Sequence, residues 1–120
     1  MANNIKECLE ELMGVDGALG TALVDFKSGM TLGTNGGGVN LEMAAAGNTE
    51  VVRAKMKTMQ ALGLQDRIED ILITLGKHYH LIRFSEKFPN IFFYFVLDKS
   101  RANLALARIK LSQVEEKLQI

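Results

Sequence analysis

Seven consecutive apolar residues, Ile91 to Leu97 (IFFYFVL), constrain this chain more than any other stretch. The run is far shorter than the roughly 18 residues of a membrane span, so it reads as a strand. Successive strand side chains point to opposite faces, which sends Ile91, Phe93, Phe95 and Leu97 one way and Phe92, Tyr94 and Val96 the other. The preceding run, His78 to Phe84, repeats the property, with Tyr79 and Leu81 against Ile82 and Phe84. A sheet that is apolar on both faces has to be covered on both, and three layers are the result.

The remaining strands follow from turn chemistry. Gly76 and Lys77 form a two-residue turn between Ile68–Leu75 and His78–Phe84, and SEKFPN, with the only proline, forms a longer turn before Ile91. Near the start, GALGTALVDF (Gly17 to Phe26) is strand-like, and KSG turns it into MTLGT. The glycines from Asn35 to Gly38 lack the Gly-Lys-Ser/Thr ending of a phosphate loop and read as a connector.

Three helices supply the cover. Asn4 and Glu7 have capping-box spacing ahead of a short helix with Ile5, Cys8, Leu9 and Leu12 on one face, and Gly14 is placed to end it. The last segment, Lys99 to Ile120, starts after Asp98 or Ser100 and carries Leu104, Ala107, Leu111, Val114 and Leu118 in one stripe. Between them, Leu41 to Leu64 makes about six turns, roughly 36 Å of helix. The order is helix, two strands, long helix, three strands, helix. The expected fold is α+β, a profilin-like three-layer α/β/α sandwich with a five-stranded antiparallel sheet, as a single domain over residues 1–120.

The long helix carries more apolar surface than one core contact uses. Ala44, Gly47, Val51, Ala54, Ala61 and Leu62 form one stripe, and Leu41, Ala45, Val52, Met56, Met59 and Gly63 form the next. Together they span about 220°, where a single core contact needs about 100°. Such a helix takes two partners. The first stripe is expected on the chain's own sheet, and Val52, Met56 and Met59 on a second chain.

Composition narrows the function classes. Hydrophobic residues are 48% and charged ones 23%, a globular profile, and 14 Lys plus Arg balance 14 Asp plus Glu. A chain without net charge has no broad electrostatic grip on nucleic acid, and no apolar run is long enough to insert in a membrane. The start, MANNIKECLEELM, interrupts its apolar residues with charges, unlike a secretory signal. The lone Cys8 excludes an internal disulfide and reads as a small core residue, so a cytoplasmic setting is expected.

Catalytic and metal chemistry find little support. His78 and His80 share a strand face, but two ligands are too few for a metal, and no HExxH or Cys/His cluster adds a third. Glu69 and Asp70 are adjacent in a strand and therefore diverge. No serine sits in a GxSxG setting. No cofactor, metal or catalytic residue is expected.

The element order, together with GVDGALGTALVDFKSGMTLG and YFVLDKSRANLALARIKL, resembles the Roadblock/dynein light chain family, in particular its standalone, prokaryotic, MglB-like members. Val15-Asp16-Gly17 matches the family's glycine-containing loop before the first strand, Asp25 and Gly29 frame the hairpin, and Leu41 to Leu64 matches the central helix. The resemblance implies a non-enzymatic homodimeric module whose edge strands pair and whose central helices lie side by side, as a platform for a small Ras-like GTPase. On this chain it implies a dimer interface of Val52, Met56, Met59, Ile68, Ile71 and Ile73. The helix's polar arc, with Glu50, Arg53, Lys57 and Gln60, is the expected surface for the GTPase. The alternative is a small-molecule sensor of profilin or PAS architecture. It requires a void between sheet and helix lined by Phe92, Phe93, Tyr94 and Phe95.

Overall fold

The computed structural model describes residues 3–120; Met1 and Ala2, the first residues of the charged N-terminal run, lie outside the described residues. The expected order is realised as α1 (Ile5–Met13), β1 (Ala18–Asp25), β2 (Met30–Gly36), α2 (Leu41–Ala61), β3 (Asp70–Thr74), β4 (His78–Phe84), β5 (Ile91–Asp98) and α3 (Leu104–Lys117). The five strands form one antiparallel sheet in the order β2-β1-β5-β4-β3. The most apolar strand, β5, therefore takes the centre, with Ile91 through Leu97 all buried.

The two faces of β5 seed two cores. Phe93, Phe95 and Leu97 pack with Leu9 and Leu12 of α1 and Ala107, Leu111 and Val114 of α3. Phe92, Tyr94 and Val96 pack with Ala22, Val24, Ile82 and with Leu41, Ala45 and Val52 of α2. Terminal helices on one side and the long helix on the other make the three-layer α+β sandwich.

Helix ends differ from the sequence reading in instructive ways. Asn4 does not close a capping box, because no cap hydrogen bond comes from its side chain. That side chain instead donates to the Lys117 carbonyl at 2.7 Å and accepts from the Gln119 N–H at 2.7 Å, tying the start of α1 to the end of α3. Likewise Asp98 forms a turn with Ser100, accepting from its N–H and hydroxyl, and the cap of α3 is Asn103, which accepts from the Leu106 N–H at 3.1 Å. The central helix starts at Asn40, which accepts from the Met43 N–H. It ends with Gly63 at φ 70°, where Gly63 N–H bonds to Gln60 and Leu64 N–H to Met59, a Schellman pair.

The glycine run is a packing device. Asn35 and Gly36 belong to β2, and Gly20 of β1 pairs with Gly36. A Cβ at Gly20 would collide with the Gly37 carbonyl, so the two backbones approach where side chains cannot fit.

Candidate functional site

Helix α2 is narrower than the sheet below it. It packs chiefly on β1 and β2, and Arg53 reaches outward over the hairpin turn to donate to the Lys27 carbonyl at 2.7 Å. On its opposite flank, Asn48 comes beside the Tyr94 hydroxyl of β5. Beyond that flank lie β4 and β3, whose α2-side residues are covered only in part: Ile82 and Phe84 are buried in the core beneath α2, and their neighbours along the strands are not. His80 and Ile73 are cross-strand neighbours there, as are Ile82 and Ile71. His78, His80, Ile71 and Ile73 are half-buried. Strand β3 also has a neighbour on one side only, so its outer row of backbone groups is free.

The flank of α2 that overlooks this strip has a regular sequence. Ala44, Asn48, Val51, Lys55, Thr58 and Leu62 follow at alternating steps of four and three, the spacing of a helix-pairing seam. Gly47, Ala54 and Ala61 run beside them. Val51 is 40% exposed and Leu62 67%, and the small residues permit close approach of another backbone. Two of the polar members, Asn48 and Thr58, already bond within the helix. Asn48 donates to the Ala44 carbonyl at 2.8 Å and Thr58 to the Ala54 carbonyl at 2.9 Å, which lowers the cost of covering them.

This reverses the expected roles of the two stripes. Val52, expected at the interface with a second chain, is 0% exposed and sits in the chain's own core with Leu41 and Ala45. Leu41, Ala45 and Val52 fill the space above the sheet, and Val51, Ala54 and Leu62 remain outside. Met56 and Met59 face neither seam nor central core. With Phe26, Ile68, Phe84 and Ile91 they line an open cleft of about 440 Å³ at the far end of α2. Ile68 precedes β3, which begins at Asp70, so it belongs to this cleft and not to the paired strand. Ile71 and Ile73 do lie on β3.

Of the expected partner-binding residues, Glu50, Lys57 and Gln60 are exposed, and Arg53 is held by Lys27 and by Glu50 at 3.1 Å. The four aromatic residues of the sensor reading are at most 1% exposed and closely packed. The apolar cleft is lined by other rings, Phe26 and Phe84.

An ion-pair network braces β3 from the other face. Asp70 accepts from Arg108 of α3 at 3.2 and 3.3 Å and lies 3.8 Å from Arg83 of β4. Arg83 Nε stands 3.5 Å from the buried Glu115, an ion pair without hydrogen-bond alignment. Nothing in the sequence pattern announced this network, because its members lie on three elements far apart in the chain.

His78 and His80 stack with ring centroids 5.7 Å apart. His80 Nδ1 is 2.9 Å from the Tyr94 hydroxyl, whose pKa burial pushes up to about 12 against the opposing Asn48 amide. Burial pushes the His80 pKa down, and the charge of His78 adds to that. Among the described residues no group of three His, Cys, Asp or Glu side chains is placed to hold a metal ion.

This architecture has close counterparts among solved structures. MglB of Myxococcus xanthus superposes with a TM-score of 0.82 at 15% identity, over 94% of this chain and 89% of that one. The gliding protein MglB of Thermus thermophilus gives 0.80 at 19% identity, over 94% and 84%. A Roadblock/LC7 domain from Streptomyces avermitilis gives 0.80 at 8% identity, over 92% and 90%. The fold is that of the Roadblock/LC7 domain. No family model matches the sequence, and no curated protein matches it by sequence. The likeness therefore resides in the fold: at these identities few side chains are shared, while the layers and strand order are. No helix among the described residues is long and apolar enough to cross a membrane.

Proposed function

We propose that the chain is a non-enzymatic, cytoplasmic interaction module that forms a homodimer and binds a small Ras-like GTPase. The observation that carries the dimer is the coincidence of an exposed seam on α2 with a free β3 edge beside it. A two-fold axis near β3 would pair the two edges and bring the two Ala44–Leu62 ridges over the strip that each chain leaves open. Ile71 and Ile73 would then lie under the paired helices, with the ridge residues replacing Val52 in the expected interface. A solved MglB is described as having a tetrameric arrangement, which supports self-association as a property of this architecture.

The GTPase would dock on the outward arc of the paired helices, where Glu50, Lys57 and Gln60 are exposed. The resemblance to MglB structures supports that reading, and the arc is the surface that dimerisation leaves free. A pull-down with nucleotide-loaded GTPases encoded near this chain tests it. Capture dependent on the nucleotide state, lost on charge reversal of Lys57 and Arg53, is the expected result. Capture unchanged by both reversals would move the GTPase site elsewhere.

A further inference from the structure

We propose that His80 makes the homodimer acid-labile, its neutral imidazole being required under the covering helix of a second copy of this chain. The inference rests on the dimer reading above. His80 stands on β4, cross-strand from Ile73, on the strip that α2 of its own chain leaves open. Its Nδ1 is engaged by the Tyr94 hydroxyl at 2.9 Å, while Nε2 is buried and has no partner. A neutral ring tolerates this, because Nε2 can be a bare acceptor while Nδ1–H donates to Tyr94. A protonated ring puts an N–H on both nitrogens and leaves a charged donor unpaired.

The surroundings offer that charge no relief. On β4 its neighbour is His78, a second potential cation; β5 presents Tyr94; β3 presents Ile73. On α2, Asn48 is neutral and Lys55 is positive, and a second copy's ridge would bring the same residues. The carboxylates of α2, Glu42 and Glu50, lie off the ridge. Asp98 sits across from His78 and is taken up by Ser100. Burial already holds the His80 pKa below its usual value in the single chain, and a covering helix would lower it further. The folded, paired state therefore binds fewer protons than the separated one, and pairing weakens as pH falls through the separated chain's pKa.

Sedimentation equilibrium at about pH 7.5 and about pH 5.5 tests this, with circular dichroism confirming that the fold persists at both. The dimer dissociation constant of the wild-type chain should rise about tenfold or more at the lower pH, and His80→Gln should remove most of the rise while His78→Gln keeps part of it. Should His80→Gln fail to fold, an NMR titration of the wild-type histidines decides: the His80 pKa should be lower in concentrated than in dilute protein. A dimer equally stable at both pH values, with a concentration-independent His80 titration, would overturn the proposal. A monomer at about pH 7.5 would instead overturn the dimer reading on which it rests.

Discussion

Val51 and Val52 are adjacent, identical in chemistry, and opposite in consequence. Val52 is fully buried over the sheet, so Val52→Ala removes packed methyl groups and leaves a gap, at a cost of roughly 2 kcal/mol in urea unfolding. Val51→Ala, at a 40% exposed site, should change the stability of the isolated chain by less than about 0.5 kcal/mol and weaken self-association instead. Equal losses of stability for the two would contradict the assignment of the stripes. Cys8 illustrates the same dependence on position: burial pushes its pKa up, and the carboxylate of Glu11 adds to that. Its thiol should react with a disulfide reagent no faster than the chain unfolds, and rapid labelling of the folded protein would place it at the surface.

Elements are held by contacts that periodicity does not reveal. Helices α1 and α3 are joined at the start of α1 by Asn4 and in its last turn by Glu11, whose carboxylate contacts Lys117 at 2.6 Å and Lys110 at 3.4 Å. The hydrogen bond from Lys117, the largest cause, holds the Glu11 pKa below its ordinary value. A depressed carboxylate pKa adds stability above the unfolded pKa, and that part is lost as pH falls through the folded one. Glu11→Gln should therefore cost a modest amount of stability near neutral pH and nothing in strong acid, where the two unfolding curves should converge. Curves that stay parallel across the acid range would show that the Glu11 ion pairs add nothing. Asn4→Ala removes both ties to the last turn of α3 and should destabilise the fold by about 1–2 kcal/mol, read by denaturant unfolding.

These ties mark the limit of what local sequence discloses. The alternation of Ile91 to Leu97 and the stripe of Ala107, Leu111, Val114 and Leu118 were legible because periodicity reports burial directly. The two stripes of α2 were legible as a pair, yet their roles were not, because an apolar residue facing the sheet and one facing a second chain obey the same period. Only their placement in the assembled fold distinguishes them. Leu41 and Val52 fill depth over the sheet, while Gly47, Val51 and Ala54 leave room for another helix. The Asp70–Arg83–Glu115 network stayed hidden because its register is set only once β3, β4 and α3 are assembled.

At the scale of the whole molecule, one geometric mismatch organises everything else: the sheet is five strands wide, and α2 shelters only part of its second face. The terminal helices complete the first face, and in the proposed dimer a second chain would complete the other. Sedimentation equilibrium of the wild-type chain beside Val51→Glu, at about 1–100 µM and near neutral pH, measures this most directly. A wild-type dimer in that range, and a Val51→Glu chain that is monomeric with an unchanged circular dichroism spectrum, is the predicted result. A wild-type monomer at the highest concentration, or a Val51→Glu dimer as stable as the wild type, would contradict it.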